Sequence, residues 1–154
     1  MGTIRRFLAH AIRLEAEAAR RFDELADDMA THGNQEVETT FRQFADLSRV
    51  HLKHAMERAG FLHISELPED DYDWPDGESP EAAPWWAVDA MMDARSALEL
   101  ALESERRCLQ YYQNVADSSH DPRVVEMAKD FAAEEQKDVK LLEGMLEKCE
   151  GKES

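Results

Sequence analysis

Glu15 and Glu105 lie in the middle of apolar helical stripes, and each is followed seven residues later by an aromatic, Phe22 and Tyr112. Downstream of each comes a second matching block, Phe44-Ala45-Asp46-Leu47-Ser48-Arg49-Val50-His51 and Phe131-Ala132-Ala133-Glu134-Glu135-Gln136-Lys137-Asp138. An ionised group in a packed interior costs several kcal/mol unless it is paired or bound. Acidic side chains that recur at matched inward positions therefore need a compensating partner, and a metal ion is the first candidate.

Four helices must position these groups. Apolar spacing predicts the first over about residues 3–32, with Leu8, Ile12, Ala19, Phe22, Ala26 and Met29 on one face, Thr3 as N-cap and Gly33 as the stop. The second runs over about 35–59 and ends at Gly60, with Val37, Phe41, Phe44, Ser48, His51 and Ala55 as its stripe. The third is expected just after Pro84, over about 85–118, with Met91, Leu98, Leu102, Glu105, Leu109, Tyr112 and Ala116. The fourth covers about 122–149, opens at Asp121-Pro122, frays before Gly151, and carries Val124, Ala128, Phe131, Glu135, Asp138, Leu142 and Met145. Alternating three- and four-residue spacings suit helices packed side by side.

The stretch over 61–83 is rich in Pro, Asp and Glu and is long for a connection inside a small domain. The turns joining helices one to two and three to four are short, so each pair forms an antiparallel hairpin. If helices two and three run parallel, the chain must cross the bundle's length of about 35 Å, at 1.5 Å per residue, between them. Tyr72, Trp74, Trp85 and Trp86 are expected to pin this crossover to the bundle or to a partner.

The halves repeat one another. Phe22, Ala26 and Asp27 align with Tyr112, Ala116 and Asp117, and Phe44-Ala45 with Phe131-Ala132, which pairs Glu15 with Glu105, Ser48 with Glu135, and His51 with Asp138. The expectation is a single all-α domain over 1–154, a four-helix bundle of two hairpins related by an approximate two-fold axis.

Composition bounds the function. The chain has 154 residues, 43% hydrophobic and 34% charged, enough for one domain with a real core. A net charge of −16 argues against nucleic acid and anionic membrane surfaces as partners. It suits the attraction of cations, and solubility explains it more simply. Cys108 and Cys149 form no CxxC pair, so they build no rubredoxin-type or zinc-ribbon site; reduced thiols in the cytoplasm are the simpler expectation. No apolar run reaches the roughly 18 residues of a membrane span, and none follows Arg5-Arg6 as a signal peptide would require.

This layout, over about residues 5–148, resembles the ferritin-like di-iron carboxylate proteins, and rubrerythrin most closely. In that family each half gives one Glu from its first helix and a Glu-x-x-His from its second. The resemblance implies Glu15, His51, Glu105 and Glu135 as metal ligands, with Asp138 at a ligand position where the family has His. Ser48 replaces the other paired Glu and suits a water better than a metal. The four carboxylates still total −4 with His51 neutral, which balances two divalent cations; a lost bridging carboxylate weakens the second. The implied cofactor is iron, one or two ions, with manganese or zinc as alternatives.

Blander readings stand beside these. Glu15 could face solvent, His51 could be a satisfied core histidine, and Asp138 could reach a metal only through water. Glu103, Glu134, Glu17 and His54 are expected off the inward face, with His54 as the reserve ligand, and Tyr112 in the core with its hydroxyl on a carboxylate. Three functions follow: an oxidoreductase for peroxide, dioxygen or ferrous iron that needs an external electron donor; a metal-binding protein without turnover; and a helical interaction module, expected as a homodimer, with a remnant site.

Overall fold

The computed structural model describes residues 3–60, 89 and 91–152. They form four helices and no strand: α1 (Thr3–Thr31), α2 (Gln35–Ala59), α3 (Ala94–Ser118) and α4 (Pro122–Lys152). The expected crossover over 61–83, with Tyr72 and Trp74, lies outside the described residues, as do Trp85 and Trp86.

Local chemistry sets the ends. Gly33, at φ 77°, and Gly60, at φ 52°, take the left-handed backbone that ends α1 and α2. Asn34 caps α2 by accepting from the Val37 amide at 3.3 Å, and its amide group donates to the Met92 carbonyl at 2.8 Å. The starts of α2 and α3 thus lie together. Asp121 accepts from the Arg123 amide at 3.0 Å and opens α4.

Three expected boundaries are corrected. Helix three starts at Ala94, not near 85, because Asp93 holds an extended backbone and accepts from the Ser96 amide. Met91 is therefore 85% exposed in a turn and not on the stripe. Thr3 is already helical and not an outside cap, and α4 runs on through Gly151 to Lys152.

The helices pack as two hairpins, α1 with α2 and α3 with α4. Between the hairpins, Arg58 meets Asp130, His54 meets Glu134, and His51 meets Asp138. Rising numbers on α2 against falling numbers on α4 make these two antiparallel, so α2 and α3 run parallel, as expected.

The apolar core comes in two parts. One gathers Phe22, Met29, Val37, Phe41, Phe44, Leu98, Leu102 and Leu142 near the α1–α2 turn. The other gathers Phe7, Leu8, Leu14, Ala55, Tyr112, Val124 and Phe131 near the α3–α4 turn. On α1, α2 and α4 the change from one cluster to the other falls where polar side chains are buried, Glu15, Ser48 and His51, and Glu135 and Asp138; on α3 the clusters meet at Cys108 and Leu109, one turn beyond the buried Glu105. Of the expected stripe positions, Ile12, Ala116 and Met145 are only half-buried.

Two alanine substitutions should move stability in opposite directions. Gly33→Ala forces a side chain into left-handed backbone and should cost about 1 kcal/mol. Gly144 is helical with open space around it, so Gly144→Ala should add up to about 1 kcal/mol. Urea unfolding of the two variants checks both signs.

Candidate metal centre

Each site residue is held by the stripe that carries it. Glu15 follows Leu14 on α1, His51 lies one turn beyond Ser48 on α2, Glu105 stands in the middle of α3, and Glu135 and Asp138 share one face of α4. All five are buried, with Glu135 1% exposed and His51 and Asp138 the most accessible at 9% and 8%. The solvent-facing alternative for Glu15 is ruled out by its 4% exposure.

The five side chains meet as two triads with a shared member. Glu15, His51 and Glu135 bring ligand atoms within 4.8 Å of one another, and so do Glu105, Glu135 and Asp138. His51 touches both groups. Its Nδ1 hydrogen-bonds Glu135 Oε1 at 2.9 Å and lies 3.7 Å from Glu15 Oε2, while its Nε2 lies 3.0 Å from Asp138 Oδ2. That last approach is an ion-pair contact without hydrogen-bond geometry. The Tyr112 hydroxyl, on α3, donates to Glu15 Oε1 at 3.0 Å, as expected for it. Its ring is fixed by Phe131 at 5.5 Å and Phe7 at 6.2 Å, both edge to face.

Two buried oxygens, Glu135 Oε2 and Asp138 Oδ2, receive no hydrogen bond. A buried acceptor without a donor is costly, so these atoms call for a proton or a cation. Burial pushes the Glu105 carboxyl up to about 7; its hydrogen bond with Glu135 opposes that, and the charges of Glu15 and Asp138 add to it. Burial, then the charges of Glu105 and Glu15, hold Glu135 well above the usual carboxylate range. Burial, then Glu15, raises the Tyr112 hydroxyl. Burial alone would lower His51, but Asp138, Glu135 and Glu15 outweigh it and raise it. The neutral imidazole of the charge count thus belongs to a metal-bound state; without metal His51 is itself the cation of the site.

The neighbours sort as follows. Glu103 is exposed, and Glu17 pairs with Arg13 on the same helix. His54 and Glu134, expected in solvent, bond each other at 2.7 Å outside the core, so His54 is not a ligand in this arrangement. That cross-helix pair left no trace in the spacing. Sequence patterning also missed the buried His10, Thr40 and Ser104. His10 donates from Nδ1 to the Arg6 carbonyl at 2.8 Å and Thr40 to the Glu36 carbonyl at 3.1 Å, local bonds that let a polar residue sit on an apolar stripe. Cys108 and Cys149 are both free thiols, Cys108 buried.

The rubrerythrin family pattern matches residues 6–146. The chain belongs to the rubrerythrin family. No curated protein matches it closely. A crystal structure of an uncharacterized conserved protein from Magnetospirillum magnetotacticum MS-1 is similar, with 38% identity and a TM-score of 0.72 over 96% of this chain and 95% of that one. The two triads therefore occupy the core of a rubrerythrin-type bundle, and their mixed carboxylate and imidazole atoms fit a transition metal. None of the helices is long and apolar enough to cross a membrane among the described residues.

The buried acids set a pH dependence for metal-free protein. Glu105 keeps its proton up to about 7 in the fold, against 4.5 ordinarily, so its contribution is complete below 4.5 and is lost as pH rises through 7. His51, raised from 6.5, acts in the same direction above that value. Asp93 and Asp121 are lowered below 3.8 and act only in acid. The melting temperature should fall between pH 5.5 and 8, and Glu105→Gln should flatten that fall. A melting temperature that rises over this range contradicts the assignment.

Proposed function

We propose that this chain binds one or two transition-metal ions, iron first, at Glu15, His51, Glu105, Glu135 and Asp138, and works as a non-haem oxidoreductase on peroxide, dioxygen or ferrous iron. The observation that carries this reading is the pair of orphaned carboxylate oxygens, Glu135 Oε2 and Asp138 Oδ2, in a water-poor core already crowded with acids. Membership of the rubrerythrin family supports it. Iron bound among these groups would supply the electrons that reduce peroxide to water.

The chain's own residues have separate tasks. Glu135 belongs to both triads. Tyr112 holds Glu15 through its hydroxyl and keeps that carboxylate turned inward. Phe7, Tyr112 and Phe131 close one side of the site with apolar surface, which keeps water from the acids and strengthens each electrostatic contact. No CxxC pair lies in these residues, so electrons would return from a donor outside them.

A second reading, metal binding without turnover, draws on Ser48. It is buried one turn before His51 where the other half has Glu135, so the first half lacks a carboxylate to share.

Two measurements separate these readings. Iron at a hundredfold excess over Kd should stabilise the folded chain by about 2.7 kcal/mol, and Glu135→Ala should abolish that gain. Stopped-flow mixing of ferrous-loaded protein with peroxide should show oxidation faster than in Glu105→Ala. Metal-dependent stabilisation without faster oxidation selects the non-catalytic reading, and no stabilisation by iron, manganese or zinc removes both.

A further inference from the structure

We propose that the seam between α2 and α4 is the route by which a divalent cation reaches the buried acids, and that the His54–Glu134 pair is its gate. This rests on the metal-binding reading above and adds how the site is filled and emptied.

Access to the centre is uneven. Glu15 and Glu105 are 4% exposed and Glu135 1%, while His51 and Asp138 reach 9% and 8%. Those two meet across α2 and α4 at 3.0 Å, so the most open part of the centre lies on that seam. The rings of Phe7, Tyr112 and Phe131 close another side with apolar surface.

The seam is unlike in its two directions. His54 lies three residues after His51 and Glu134 four before Asp138, so both stand one turn along the same helix faces. They bond each other at 2.7 Å, with side chains still 41% and 29% exposed. Beyond them opens a pocket of about 290 Å³ lined by His54, Glu57, Arg58, Asp130, Phe131 and Glu134. Its three carboxylates outnumber its one guanidinium, and a negative lining draws cations in. In the other direction Leu47 and Leu141 stand one turn from His51 and Asp138. Leu47 packs on the apolar core and Leu141 is half exposed. Neither has an oxygen or nitrogen to replace the water that a cation sheds, and bringing a bare charge past apolar side chains is costly. The polar direction is the cheaper way in.

The pair is also suited to opening. A partly exposed bond of this kind is weak, and once it breaks both partners turn to water. Neither residue belongs to an apolar cluster, so the core need not move. A gate that touches no ligand changes entry and exit alike and leaves affinity where it was.

The test follows Co2+ uptake by the chelator-treated chain, and its later loss to excess chelator, through the visible absorbance of the bound ion after rapid mixing. His54→Ala should speed uptake and loss by the same factor, up to about fivefold, and leave Kd unchanged. His54→Gln, whose amide can still donate to Glu134, should fall between His54→Ala and the unsubstituted chain. Leu141→Ala should leave both rates as they are. Unchanged rates in both His54 variants, a changed Kd in either, or faster exchange in Leu141→Ala than in His54→Ala overturns the proposal. No binding of Co2+ at all, or a signal that survives Glu135→Ala, is a different outcome: it removes the metal-binding reading itself, and the gate with it.

Discussion

Four carboxylates and one imidazole share a space from which four helices exclude water, and the rest of the molecule accommodates that fact. Burial alone makes each added negative charge there more expensive, which is why Glu105 and Glu135 both hold protons beyond the ordinary carboxylate range. The bundle meets the demand in three ways: the Tyr112 hydroxyl on Glu15, the cationic His51, and protons on the facing acids of α3 and α4. Glu135 Oε2 is still left over, and Asp138 Oδ2 has only the His51 contact without hydrogen-bond geometry. A bound cation would satisfy them without another proton.

The same constraint shapes the fold. An uninterrupted apolar core would hold four amphipathic helices together more firmly than a core cut in two. Here the Phe22–Phe41–Phe44 group and the Phe7–Tyr112–Phe131 group sit on either side of the acids, each a separate aromatic cluster. Across the α2–α4 seam the named contacts are polar: Arg58 to Asp130, His54 to Glu134, and His51 to Glu135 and Asp138. The two outer pairs are partly exposed and worth little each. The His51 contacts, buried on both sides, form the strong rung of that ladder. The centre is therefore a functional candidate and a structural junction between the hairpins in one.

The two halves share a plan and differ where chemistry matters. Glu15 and Glu105 are equivalent by repeat, yet Tyr112 donates a hydroxyl to Glu15, while its counterpart Phe22 has none to give. Ser48 and Glu135 are equivalent, yet only Glu135 brings charge. His51 and Asp138 are equivalent, and their side chains meet across the centre at 3.0 Å. An approximate two-fold bundle thereby encloses a site with two unlike ends.

Much of this was legible in the chain. Periodicity reads directly as buried faces, so Glu15, His51, Glu105, Glu135 and Asp138 could be placed inward, and the repeat could pair them. The stops at Gly33 and Gly60 were legible because a left-handed backbone favours glycine. The start of α3 was not, since Asp93 as a cap competes with earlier residues of similar spacing. Which acid faces which, that His51 spans both triads, and that His54 joins Glu134 outside the core were decided by tertiary structure. Those facts depend on the register between α2 and α4, and side-chain spacing within one helix carries no information about the register of another.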